Sequence, residues 1–182
     1  MYGLVNQAIQ GLVLDNYGQA MWERIRDRAK VTEHAFLSTV GYDDQITFDL
    51  AVAASAELAI PVQEVLIAFG KYWVKDIAHK RYGGMMSSGG VSLEDFLLNL
   101  PNFHSRVMLV FPNITPPEFK TEKIADNAFH LHYYSTRKGL TYFMVGLIAG
   151  LSEWYGKRTD IKIVAEKDQG GDHDVFEITM IA

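Results

Sequence analysis

Residues 111–117 hold three prolines, Pro112, Pro116 and Pro117. No regular helix runs through such a segment, because each proline lacks an N–H and crowds the turn before it. The hydrophobic period differs on its two sides. Upstream, apolar residues recur at helical spacing; downstream come short alternating runs and one long helical stretch. Helices set apart from strands in this way indicate the α+β class.

Upstream, Leu4, Val5, Ala8, Ile9, Leu12 and Val13 trace one helix face, and Asp15-Asn16-Tyr17-Gly18 ends it. A second helix fits 19–30, with Met21, Trp22, Ile25 and Ala29 inward, and a third fits 46–58. Pro61 suits the first position of a longer helix, whose stripe is Val62, Leu66, Phe69, Trp73 and Ile77. The glycines of 82–90 read as a turning region. Ser92 with Asp95 forms a capping box for a helix that meets Pro101 and continues through His104, Val107 and Met108.

Downstream, 118–123 and 128–136 read as strands, and 139–155 returns to helical spacing. Its stripe is Leu140, Phe143, Met144, Leu147 and Leu151. Strands at 161–165 and 175–180 flank a hairpin loop around Gly170-Gly171. The expectation is one domain over 1–182. A helical part of about 1–65 packs on a part of about 66–182 that holds a mostly antiparallel sheet and one long helix.

Composition removes several kinds of chemistry. Cysteine is absent, so disulfides, iron–sulfur clusters and thiolate ligation of haem are excluded. The net charge is −5 with no basic block, so neither nucleic acid nor an anionic membrane surface is the expected partner. The start, Met1-Tyr2-Gly3-Leu4, is not that of a signal peptide, and no run is long and apolar enough to span a bilayer. A soluble, cytoplasmic protein is expected. No nucleotide-binding glycine loop and no Ser–His–Asp pattern appears.

Two features carry candidate chemistry. In a strand, Phe129, Leu131, Tyr133, Ser135 and Arg137 share one face, which begins apolar and ends hydroxylic and cationic. A half-buried Arg needs an anion, and its fork of donors suits a carboxylate or phosphate. An internal Asp or Glu at a core edge meets the same need. His104 sits on the apolar side of its helix, near Leu100, Val107 and Met108, where an imidazole either ligates iron in a dry pocket or bonds a backbone carbonyl as a core residue. Pro101 disturbs the turn before it. His130 and His132 share the opposite strand face, a spacing compatible with zinc, but no acidic partner is evident and two exposed residues fit better. His173 reads as a turn residue.

Together these residues resemble the H-NOX family, the haem nitric-oxide/oxygen-binding domains related to the haem domain of soluble guanylate cyclase. The resemblance runs in order through Met1-Tyr2-Gly3-Leu4-Val5-Asn6, Phe69-Gly70 with Tyr72-Trp73, His104 in Asn102-Phe103-His104, the turn Thr115-Pro116-Pro117-Glu118-Phe119, Tyr133-x-Ser135-x-Arg137 and Gly171-Asp172-His173-Asp174. It implies haem b lying between the two parts, with His104 as the iron ligand. Tyr133, Ser135 and Arg137 would hold the haem carboxylates, and Pro117 would press on the porphyrin. It further implies a sensor with no catalysis of its own. Nitric oxide weakens the His104–iron bond, the haem relaxes and the helical part shifts.

Oxygen-binding relatives place a Tyr over the iron. Tyr142 and Phe143 compete for that place here, about 100° apart on a helix, and Phe143 shares the apolar stripe. Leu4, Val5 and Trp73 would complete the lid. Nitric oxide and carbon monoxide binding with poor oxygen binding is therefore expected. The resemblance also implies a separate effector, such as a histidine kinase or a cyclic-di-nucleotide enzyme. Two other readings remain at this point. A haem peroxidase would require a distal His or Arg, and none lies on these stripes. A haem-free interaction module would purify without colour.

Overall fold

The architecture was obtained as a computed structural model, which describes residues 1–110 and 115–181. Helix α1 (Gly3–Arg28) contains a kink at Gly18, where φ is 79° and ψ 178°. That backbone is open to glycine and strained for other residues. The two helices expected on either side of Gly18 are therefore joined end to end. Helix α2 (Asp44–Leu58) starts where the Asp43 carboxylate accepts the Gln45 N–H, which satisfies one of the unpaired donors of a first turn.

Pro61 stands one residue before α3 (Val62–Tyr72). A π-helical turn, Trp73–Ala78, then leads into α4 (His79–Ser87). Such a turn inserts a residue and rotates the helix beyond it. It explains why Val74 is sealed while Trp73 is only half-buried, against the regular stripe expected through Trp73. Gly83 and Gly84 lie inside α4 and not in a turn. Neither has a positive φ; the turning expected here is a kink at Tyr82, where φ is −130° and ψ 21°.

The capping box is present: Ser92 Oγ accepts the Asp95 N–H and donates to the Asp95 carboxylate. The helix expected from Ser92 through His104 is in fact two, α5 (Leu93–Leu98) and α6 (Leu100–Val110), broken at Asn99. Pro101 falls in the first turn of α6, where its missing N–H would have had no helical partner. Of the proline-rich segment, 111–114 lies outside the described residues, and Thr115, Pro116 and Pro117 adopt no regular structure.

Strands β1 (Glu118–Ala125), β2 (Ala128–Tyr134), β3 (Arg158–Ala165) and β4 (Asp174–Ile181) form one antiparallel sheet in the order β1-β2-β4-β3. Phe129, Leu131, Tyr133, Phe176 and Ile178 are buried on its inner face. Helix α7 (Thr141–Trp154) connects β2 to β3 and packs against α3. Glycines permit the closeness of that pair. A Cβ at Gly146 would stand 2.2 Å from the Ile67 carbonyl oxygen, and one at Gly70 2.3 Å from that of Phe143. The core continues from Ile9 and Trp22 in α1 to Phe176 and Ile178 in β4. No single helix among the described residues is long and apolar enough to cross a membrane.

Candidate functional site

Helices and sheet enclose a cavity of about 430 Å³. Its wall is largely apolar: Leu4 and Val5 from α1, Trp73 and Val74 from the π turn, and Phe143 and Met144 from α7. Phe143 also packs on Phe69, ring centroids 4.6 Å apart. Tyr142 is not among the described residues that line the cavity. The π turn brings both Trp73 and Val74 to the wall, and the close approach of α7 to α3 at Gly146 and Gly70 sets Phe143 against Phe69.

His104 reaches the same cavity from α6. Its ring rests against Phe119, with centroids 4.7 Å apart, and against Phe103 at 5.6 Å. Nδ1 lies 3.0 Å from the Leu100 carbonyl oxygen. A carbonyl can only accept, so Nδ1 carries the proton and Nε2 keeps its lone pair. Burial pushes the imidazole below the ordinary histidine range, and the Leu100 bond opposes this only in part. The ring is therefore neutral at neutral pH, the form able to ligate a metal. The core-histidine bond and the free ligand nitrogen, separate alternatives in the sequence, occur together on the two nitrogens of one ring. Met108, one turn on and expected on the same apolar face, is instead 40% exposed and does not line the cavity.

The polar end of the cavity comes from Tyr133, Arg137 and the Thr115–Pro117 turn. Tyr133 stands on the inner face of β2, with its ring 5.4 Å from that of Phe119. Burial pushes its hydroxyl above the usual range, although a bond to Ser135 and the Arg137 charge oppose the shift. Strand β2 ends at Tyr134, so Ser135 and Arg137 are loop residues, against the single strand face expected for all three. The reason lies in the neighbours. Tyr134 is the last residue paired with β1, at Glu118, and the residues before Glu118 are prolines with no N–H to extend the ladder. Ser135 is not on the described cavity wall. Its Oγ accepts the Arg137 backbone N–H at 3.1 Å and so shapes the turn.

Arg137 Nε donates to Asp44 Oδ2 at 2.8 Å, and Nη1 donates to the Thr115 carbonyl at 3.0 Å. Asp44 also accepts from the Met1 ammonium. Hydrogen bonds from these two cations hold its carboxyl below the usual range despite partial burial. An internal carboxylate partner for Arg137, one of the two sequence alternatives, is therefore present. The guanidinium has five N–H donors, more than these two bonds use. Asp44 was missed in the sequence because nothing local marks a partner 93 residues away.

The chain matches the model of the haem-NO-binding family over residues 2–163. It is 26% identical over 153 residues to the soluble guanylate cyclase gcy-31 of Caenorhabditis elegans, a match that covers 84% of this chain and 22% of that protein. It is 24% identical over 182 residues to soluble guanylate cyclase 89Da of Drosophila melanogaster, covering 98% of this chain and 27% of the relative. It thus spans about a quarter of the length of these relatives. Among solved structures, an H-NOX protein from S. oneidensis in the Fe(II)NO ligation state superposes with a TM-score of 0.90 at 18% identity, covering 100% of both chains. The Fe(II) unliganded H-NOX protein from K. algicida gives 0.83 at 20% identity, covering 100% of this chain and 97% of the other. The fold is that of H-NOX proteins, and the chain belongs to the haem-NO-binding family of haem-based gas sensors.

Proposed function

We propose that this chain binds haem b through His104, senses nitric oxide and carbon monoxide in the cytoplasm, and signals by release of His104 to a separate effector. The carrying observation is the His104 tautomer: Nδ1 is tied to Leu100, and the Nε2 lone pair belongs to a ring on the cavity wall. The chamber fits the group. It is apolar and wide, and it ends in a hydroxyl and a guanidinium suited to carboxylates. Bound haem supplies the ferrous iron that takes the gas.

The protein supplies the rest. His104 ligates through a neutral nitrogen oriented from behind by a carbonyl. Tyr133 and Arg137 would receive the haem carboxylates, and Ser135, bonded to both, would position them. Pro117, in the turn whose Thr115 carbonyl accepts from Arg137, would press on the bound macrocycle. Leu4, Val5, Trp73 and Phe143 form the distal lid and exclude water. The part of about 1–65 moves against that of about 66–182. A histidine kinase or a cyclic-di-nucleotide enzyme is the class of effector we assign. The cyclase activity named for the longer relatives is not carried over to this chain.

Absorption spectra of the reduced protein alone, then with carbon monoxide, nitric oxide and air, test this reading. Changes with the first two gases and none attributable to a stable oxygen complex are expected. A stable oxygen complex would sink the selectivity, and a colourless protein from haem-replete cells would sink the whole reading. Phe143→Tyr places a donor on the lid. One hydrogen bond to bound oxygen is worth about 1 kcal/mol, so oxygen should dissociate several-fold more slowly, roughly fivefold. Stopped-flow dissociation kinetics read the effect.

Arg137→Ala removes a charged donor from the carboxylate end and leaves Asp44 with the Met1 ammonium alone. Hydrogen bonds to charged groups contribute about 1.5–3 kcal/mol, so haem affinity should fall roughly 10- to 100-fold. Transfer of haem to an apo-globin acceptor measures this, and an unchanged transfer rate would remove Arg137 from the site.

A further inference from the structure

On the outer face of the sheet, away from the cavity, four side chains make a proton-ordered array. His173 Nδ1 lies 2.5 Å from Asp172 Oδ1, and His173 Nε2 lies 2.8 Å from His132 Nδ1. The bond to His173 holds the Asp172 carboxyl below its usual range, so Asp172 accepts and His173 Nδ1 carries a proton. With that proton on Nδ1, the Nε2 lone pair of His173 accepts, and His132 Nδ1 donates to it. That leaves a lone pair on His132 Nε2. This atom is sealed from water, has no hydrogen-bond partner among the described residues, and lies 3.8 Å from Glu122 Oε2, itself an acceptor.

The surroundings define what such an array can hold. From β1, Glu122 faces His132 while paired with Lys120, which stands opposite His132 in the register. From β2, His130 faces Glu177 of β4 at 3.5 Å, and Lys162 of β3 meets the same Glu177 at 3.7 Å. Val175 of β4, apolar, stands opposite His132 on its other side. No three His, Asp or Glu side chains among the described residues converge as a metal site, and Nε2 is closed to a hydrated ion. A proton is the cation that fits between His132 and Glu122. Burial holds His132 below the ordinary histidine range, with Glu122 opposing and His173, Lys120 and His130 adding to the lowering, so the His132 ring is neutral at neutral pH.

The array also joins two pieces of chain. Tyr134 stacks on the His173 ring at 4.1 Å and 20°. The loop between β3 and β4 further holds the segment after β2: Lys167 Nζ donates to the Ser135 carbonyl, and Asp168 accepts the Gly139 N–H at 2.6 Å. One added proton is accommodated by His132 Nε2 against Glu122. A further one on His173 Nε2 places two N–H groups in a single 2.8 Å contact, and the rings must part.

We propose that Asp172, His173, His132 and Glu122 form an acid-released clasp that fixes the β3–β4 loop against the end of β2, behind the segment carrying Ser135 and Arg137. Acidification through and below the ordinary histidine range opens it. The test is amide hydrogen exchange of the full chain, corrected for the intrinsic effect of pH, in wild type and His132→Gln. A glutamine amide donates to His173 at neutral pH and turns to accept from it in acid, so the variant keeps its contact. Between about pH 7.5 and about pH 5, wild-type residues 134–139 should lose protection about tenfold, the loss of roughly one hydrogen bond, and His132→Gln should not. Equal behaviour of the two proteins, or no loss in wild type, overturns the clasp. A second measurement needs no variant: histidine ¹⁵N spectra at neutral pH should show His132 protonated on Nδ1, and protonation on Nε2 would overturn the array. Neither readout depends on haem.

Discussion

His104→Gly is expected to lose the native haem spectrum and to regain it when imidazole is added. The substitution removes the nitrogen assigned to iron and opens a space lined by Phe103 and Phe119, which free imidazole can enter. It also frees the Leu100 carbonyl from its side-chain donor. Glycine within a helix costs about 1 kcal/mol relative to alanine, a small part of the stability of a domain this size. The variant should therefore fold and lose its haem environment, not its structure. Circular dichroism separates the two, and the Soret band with and without millimolar imidazole gives the answer. A native spectrum without imidazole would show that His104 is not the ligand. His104→Ala serves as a check on helix propensity, because it lacks the ring but keeps a better helix former.

The helix-to-sheet division was legible because it rests on local rules. Three prolines and a change of period separate α6 from β1, and the Ser92–Asp95 box appears as read. The break at Asn99 falls in the turn that Pro101 was expected to disturb, whereas the π turn at Trp73–Ala78 was not legible. A π turn shifts the register of a helix by one residue, which a periodic stripe cannot express. His104, Tyr133 and Arg137 stand out as residue types on recognisable faces. Their partners do not. Asp44 reaches Arg137 from 93 residues away, and His173 reaches His132 from 41. The outer-face histidines read as exposed because their acidic neighbours, Glu122 and Glu177, lie across strands. Cross-strand register is set by the sheet as a whole, not by any short window.

Glycine-to-alanine substitutions should have opposite signs in two helices of this one chain. Gly84→Ala, in α4, places its methyl where nothing lies within 4 Å and φ is not positive. It should stabilise the protein by about 0.4–1 kcal/mol, mainly by restricting the unfolded chain. Gly146→Ala, in α7, enjoys the same gain in propensity, yet its Cβ would meet the Ile67 carbonyl oxygen at 2.2 Å and Gly70 Cα at 2.9 Å. Both obstacles are backbone, so no rotamer relieves them and α7 must move away from α3. Overpacking of this kind costs about 1–3 kcal/mol or more, which exceeds the propensity gain. A net loss of about 1–2 kcal/mol should lower Tm by roughly 2–8 °C. The shift also disturbs the packing of Phe143 on Phe69, so the reduced Gly146→Ala protein should show altered carbon monoxide binding even where it remains folded. Thermal melts of both variants beside wild type decide the matter. A stabilised Gly146→Ala would mean that the close approach of α3 and α7 does not set the distal wall.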